Sequence, residues 1–222
     1  MSAWPPERWH WIDERTRAEH ALLAPGDHCL YLGEYRARGG WAGGPMNGLI
    51  ADFKRSPAHI HASAHAAALA ACKARAIRTV AGALRRAFSR LTVETQLTFV
   101  PIPPSALAGA SDYCDRLERA LALAFAGWDA DIRPLLRHTE ATVADHARGG
   151  ARASFAELLE ITQVDRAQLD RPLRPLITLF DDVLTSGKHL AVARYRLREV
   201  LPHQAIVSLC IARRAAPRSR LG

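Results

Sequence analysis

Residues 176–180 (Leu-Ile-Thr-Leu-Phe) make a β-branched, apolar run that would hide both faces of a strand, and it leads directly into Asp181-Asp182. A strand buried on both faces belongs inside a parallel sheet with helices on each side. Residues 97–102, 132–136 and 205–211 are short apolar runs of the same kind. Stretches 112–127 and 190–200 between them read as helices, the first with Leu117, Leu121 and Phe125 at helical spacing. Doubly buried strands alternating with helices predict an α/β fold, a parallel sheet flanked by helices, from about residue 60 onward. The chain is 49% hydrophobic over 222 residues, enough for such a core and too apolar for a disordered chain.

Residues 1–57 have a different texture. They hold four of the five tryptophans (Trp4, Trp9, Trp11, Trp41) and a glycine-rich stretch at 39–48. Residues 28–35 read as a strand and 47–54 as a short helix closed by Pro57. This part is too small and loop-rich to hold its own core. It is expected to dock, as an α+β flap or hood anchored by its tryptophans, on a core of residues 58–222.

Residues 60–91 are alanine-rich, lack proline and read as helix. At 100° per residue Ile77, Val80, Leu84, Ala87, Phe88 and Leu91 share an arc of roughly 100°. Arg75, Arg78, Arg85, Arg86 and Arg90 fall opposite. This face carries most of a localised charge excess. The net charge is +8, and 27 of the 30 bases are arginine. No acid lies between Asp52 and Glu94, where eight bases sit, so the rest of the chain balances at 22 against 22. A basic chain invites a nucleic-acid reading. A charged helical face is first of all a solvated one, so nucleic acid is kept open but not favoured.

No apolar run approaches the ~18 residues of a membrane span, and the first residues do not read as a secretory leader. Cys29, Cys72, Cys114 and Cys210 are far apart, which argues against a zinc ribbon or a disulfide scaffold. The expectation is a reduced, cytoplasmic protein without a membrane partner. Cys114 has no evident base partner. His59, His61 and His65 read as surface histidines, although His61 and His65 have the i, i+4 spacing that can hold zinc.

The chemistry concentrates after the third apolar run. Asp181 and Asp182 stand at the expected carboxyl end of a parallel strand, where ligands bind in such sheets. The turn Thr185-Ser186-Gly187 then enters a helix. Free backbone N–H groups, two hydroxyls and the positive end of a helix make a phosphate cradle. Two carboxylates beside it would repel a phosphate, but they suit sugar hydroxyls, met directly or through a metal. A phosphate at one end and a diol at the other describe a ribose 5-phosphate.

The stretch Thr178-Leu-Phe-Asp-Asp-Val-Leu-Thr-Ser-Gly187 resembles the signature of type I phosphoribosyltransferases, most closely the ComF-type branch. Phe99-Val-Pro-Ile-Pro-Pro-Ser105 and Ile206-Val-Ser-Leu-Cys-Ile-Ala-Arg213 support the likeness, which covers roughly residues 92–213. The chain lacks the cysteine-rich zinc ribbon with which many ComF proteins begin. The resemblance implies an enzyme that binds phosphoribosyl pyrophosphate with Mg²⁺ and moves ribose 5-phosphate to a nitrogenous base or amine. Asp181 and Asp182 would hold the ribose hydroxyls, and the metal indirectly. Val183, Leu184, Thr185, Ser186, Gly187, Lys188 and His189 would wrap the 5-phosphate. The family usually has Thr or Ser in place of His189, and often a small residue in place of Lys188.

Pro103, Pro104 and Ser105 would turn backbone toward pyrophosphate. The turn before the next helix should face that side, so Asp115 or Arg116 is a candidate for ordering the site. The family places a closing loop where residues 139–154 lie, bordered by or containing Arg137, His138, His146, Arg148 and Arg152. His146 and Arg152 are the catalytic candidates there, because a developing oxocarbenium ion must be kept from water. The alternative is a non-catalytic phosphoribosyl-ligand sensor or adaptor that contacts nucleic acid or a protein through the arginine face of helix 73–90. The acceptor stays unidentified and the oligomeric state open, a homodimer included.

Overall fold

The structure, a computed structural model, describes residues 8–37, 40–89, 96–141 and 153–216. Its strands are β1 (His10–Trp11), β2 (Cys29–Tyr35), β3 (Leu97–Pro101), β4 (Asp131–Ile132), β5 (Leu136–His138), β6 (Thr162–Val164), β7 (Leu176–Leu184) and β8 (Ala205–Arg214). Its helices are α1 (Glu14–Arg17), α2 (Pro45–Lys54), α3 (Pro57–His61), α4 (Ala66–Phe88), α5 (Arg116–Ala124), α6 (Phe155–Ile161) and α7 (Lys188–Val200). Six strands form one sheet in the order β1-β2-β8-β7-β3-β4. Every pairing in it is parallel except β1 with β2. Helices flank this sheet, so the fold is α/β. β5 and β6 form a separate antiparallel pair.

The central strands are apolar on both faces because both are covered. Phe99, Val100, Ile177, Leu179 and Phe180 are fully buried. α4 and α5 pack together beside β3, and an aromatic cluster joins all three: Phe88–Phe99 at 5.4 Å, Phe99–Phe125 at 4.7 Å, Phe88–Phe125 at 5.5 Å between ring centres. The apolar face of α4 is the expected one, with Ile77, Val80, Leu84 and Phe88 buried. Leu91 and Arg90 lie outside the described residues. α6 and β6 pack against α7.

Several boundaries differ from the sequence reading, each for a local reason. The helix expected over 60–91 is two helices. Ser56 caps α3 with Pro57 in its first turn, and the Ser63 hydroxyl then accepts from His65 N–H, diverting the backbone before α4 begins. The apolar run at 132–136 is split between β4 and β5, because Arg133 and Pro134 leave the sheet. Arg133 is buried against Asp131 at 2.7 Å and donates to the carbonyls of Gln168, Arg171 and Pro172, pinning that loop. The helix expected over 112–127 starts only at Arg116, after turns closed by Ala110 and Tyr113 N–H groups.

The strand after residue 176 does not stop at Phe180. It continues through both acids to Leu184, because β8 keeps pairing beyond them: Asp181 faces Cys210 and Val183 faces Ala212. In the front part, β1 and β2 extend the main sheet past β8, while α2 packs on α4.

Candidate functional site

β3 and β7 are parallel neighbours in register, with Pro101 opposite Phe180 and Ile102 N–H donating to Phe180 O at 2.9 Å. The turn Pro103-Pro104-Ser105 therefore leaves its strand beside the acid pair of β7. All three residues are half-buried. α7 follows β7 after three residues and starts from Gly187, which adopts φ +84°. No side chain caps α7, and its first turn holds no acid. Its leading N–H groups thus have no side-chain acceptor among the described residues, at the positive end of a 13-residue helix. The sequence motif is an acid pair inside a strand end, a turn, and an uncapped helix.

The two acids differ sharply. Asp182 is buried and held from both sides: Lys54 Nζ is 2.9 Å from Oδ1 and Arg116 Nε is 3.1 Å from Oδ2. Burial alone would raise its carboxyl, but the charges of Lys54 and Arg116 outweigh burial and hold it well below the usual carboxylate range. Asp181 is also buried, and one oxygen accepts the Asp182 N–H at 2.7 Å. Burial first, and the neighbouring Asp182 charge second, push its carboxyl up. The guanidinium of Arg116 is itself buried; burial opposes its charge, but Asp182 and Cys114 raise its hold on the proton.

Arg116 is the candidate the sequence offered for ordering the site, and it meets Asp182 directly. Asp115 instead stands at the start of α5 in a loose exposed pair with Arg119 at 3.9 Å. Lys54 was visible in the sequence only as part of the basic excess. Its sole signal was its place at the end of a short helix in the front segment. Lys73 was also counted in that excess but is buried. It donates to the carbonyls of Phe53, at 3.3 Å, and Arg55, and to Cys114 Sγ at 3.0 Å. Cys114 therefore has a cationic partner that the sequence did not reveal. Burial raises this thiol, but Arg116 and Lys73 outweigh burial and lower it.

Of the remaining site candidates, Thr185 and Ser186 are half-buried and Gly187 is buried. Lys188 donates to Ala153 O, at the start of α6. His189 is exposed and lines a small, mostly apolar cleft with Pro103 and His138. Arg137 is exposed. His146, Arg148 and Arg152 lie outside the described residues.

The arginine face is narrower than the sequence suggested. Arg85 donates to the carbonyls of Ala124 and Ala126 at 3.0 and 3.1 Å and stacks on Trp128. Arg75, Arg78 and Arg86 are exposed on α4. Of the eight bases in the acid-free segment, Lys54, Arg55, Lys73 and Arg85 are thus engaged within the fold, Arg75 donates to Cys72 Sγ at 3.3 Å, and Arg90 lies outside the described residues. His59, His61 and His65 are exposed, and no group of three or more metal-type ligands occurs among the described residues. No helix among them is long and apolar enough to cross a membrane.

No protein-family model matches the chain, and no curated protein matches it in sequence.

Proposed function

We propose that this chain binds phosphoribosyl pyrophosphate in the manner of a type I phosphoribosyltransferase and transfers ribose 5-phosphate to a nitrogen of a base or amine. The observation that carries the reading is one strand–helix junction. A buried acid pair on β7 meets an uncapped helix that begins from a left-handed glycine, with the Pro103–Ser105 turn alongside. Carboxylates accept from a diol, and helix N–H groups donate to a phosphate.

Each group has a task in this reading. Asp181 and Asp182 accept the ribose hydroxyls. The turn at Thr185, Ser186 and Gly187 and the first turn of α7 donate to the 5-phosphate. Lys54 and Arg116, which hold Asp182, would be the cations next to a sugar bound there and are the groups this reading assigns to the diphosphate. When hydroxyls take over Asp182, both cations can turn part of their hydrogen-bonding capacity to the diphosphate. The bond from the anomeric carbon to the pyrophosphate oxygen breaks, its electron pair leaves with pyrophosphate, and the acceptor nitrogen supplies the new pair and releases its proton to the departing pyrophosphate or to solvent. No nucleophilic side chain is needed; positioning and charge do the work.

Mg²⁺ is the metal that the family resemblance implies. It keeps most of its water and takes one or two carboxylates with substrate oxygens. Asp181 and Asp182 would hold it indirectly, through ribose or water, and it would supply charge neutralisation of the leaving group.

Calorimetric titration with phosphoribosyl pyrophosphate, with and without Mg²⁺, tests the reading. A panel of bases under pyrophosphate detection then tests turnover. Absence of binding in both titrations sinks it. Binding without turnover on any acceptor would favour a ligand sensor. That role would gain weight if the protein also bound DNA in a salt-dependent way through Arg75, Arg78 and Arg86.

A further inference from the structure

The turn at Thr185-Ser186-Gly187 is supported from behind by a segment more than 160 residues earlier. The Thr185 carbonyl accepts from Nδ1 of His20, across 165 positions of sequence. The Ser186 carbonyl accepts from Leu22 N–H at 2.8 Å. A Cβ on Gly187 would stand 3.3 Å from Leu23 N and 3.4 Å from Leu22 C. One short stretch of the front part therefore touches three consecutive residues of the turn.

That stretch is firmly held. Glu19 accepts from Arg213 at 2.9 Å and from Ala216 N–H at 3.0 Å, which ties it to the end of β8. Asp27 pairs with Arg194 of α7 at 2.9 Å. Leu23 is in the core, and His20 is only 1% exposed. A carbonyl oxygen only accepts, so His20 Nδ1 carries the hydrogen and Nε2 is bare. Nε2 is buried and has no partner among the described residues.

In a trans peptide the C=O of one residue and the N–H of the next point in opposite directions. Tying the carbonyls of Thr185 and Ser186 to the front segment therefore turns the N–H groups of Ser186 and Gly187 away from it. We propose that His20 is a positioning residue that aims these N–H groups at an oxyanion, which under the function proposed above is the 5-phosphate. The front segment then acts on the phosphate turn through its back.

Three variants test the idea. His20→Asn puts an amide N–H where Nδ1 stands, His20→Gln puts its amide nearer Nε2, and His20→Ala removes both. Affinity for phosphoribosyl pyrophosphate with Mg²⁺ should fall roughly five- to tenfold in His20→Ala, the effect of one hydrogen bond. It should return to within about twofold of wild type in His20→Asn and stay low in His20→Gln. Unchanged affinity in His20→Ala overturns the proposal. So does an equal loss in all three variants that tracks their loss of thermal stability.

Hydrogen exchange keeps the brace testable apart from the ligand. Exchange at Leu22 N–H, which bonds Ser186, should speed up in His20→Ala and return to the wild-type rate in His20→Asn. If wild type fails to bind the sugar phosphate, the functional reading falls, and this exchange pattern alone decides the brace. Unaltered Leu22 exchange in His20→Ala removes it.

Discussion

Lys54 Nζ lies 2.9 Å from Asp182 Oδ1, a contact between residues 128 positions apart. The lysine closes α2 in the front segment, and the aspartate is buried near the carboxyl end of β7. Arg116, at the start of α5, takes the other carboxylate oxygen. Asp182 is thus the point where the front segment, α5 and the central sheet meet. Its ionised form is favoured by both cations, while Asp181 beside it is pushed the other way. Two adjacent carboxyls pushed in opposite directions by their surroundings are chemically distinct, although they share one strand end.

Asp182→Asn should lose most affinity for phosphoribosyl pyrophosphate and also destabilise the fold. It leaves Arg116 buried without its charge partner, a change that costs about 3 kcal/mol. Because the folded carboxyl titrates below its ordinary value of 3.8, its stabilisation is complete above that value. It disappears as pH falls through the depressed folded value. Urea unfolding should therefore show a smaller acid-side loss for the variant than for wild type. Unchanged Mg²⁺-dependent binding in the variant would remove Asp182 from the site.

Lys54→Met separates charge placement from architecture. Lys54 is one-third exposed, so its pair with Asp182 is partly screened and its loss should cost only about 1 kcal/mol of stability. If the lysine also faces the diphosphate, phosphoribosyl pyrophosphate should bind about tenfold more weakly. Ribose 5-phosphate, which lacks that group, should change less than about threefold. Equal losses for both ligands in calorimetry would mean that Lys54 only orders Asp182.

The layered fold was legible because burial on both faces leaves a local mark: residues 177–180 and 206–211 contain no charge. The acid pair and the turn were legible for the same reason, being contiguous in sequence. Of its partners, Arg116 was legible from its turn before α5, and the others were not. Lys54, His20 and Leu22 reach the junction through tertiary packing, and nothing in the residues around them marks that destination. The strand end was misplaced at Phe180 because charge normally signals exposure. Here Asp182 is buried with two cations that only the folded chain brings to it. The arginine face was overstated because helical periodicity places Arg85 on the surface but cannot show the carbonyls of α5 that hold it.

Gly187→Ala tests the junction's backbone. The residue sits at φ +84°, where a Cβ is strained, and that Cβ would press on the backbone of Leu22 and Leu23. Strain alone costs about 1–2 kcal/mol, and the close approach adds to it because backbone cannot step aside as a side chain can. Denaturant unfolding should show a loss of at least about 1 kcal/mol, with faster exchange at Leu22 N–H. A stability equal to wild type would mean that the turn relaxes without cost and is not braced.

His138 offers a pH test beside the same cleft. Burial first, and His189 second, hold its imidazole down to about 4, and its buried Nδ1 has no partner among the described residues. A base with a depressed folded pKa binds its proton in the unfolded chain first. Its contribution therefore leaves stability untouched above 6.5, the ordinary histidine value, and lowers it progressively as pH falls from there to about 4. In an NMR titration the His138 ring signals should stay at their neutral position from pH 8 to about 5.5. His138→Gln should flatten the decline in urea midpoint over the same interval, because the variant has no imidazole to protonate. A His138 midpoint near 6.5 would show that its ring is hydrated, and would remove the buried face of the cleft formed by Pro103, His138 and His189.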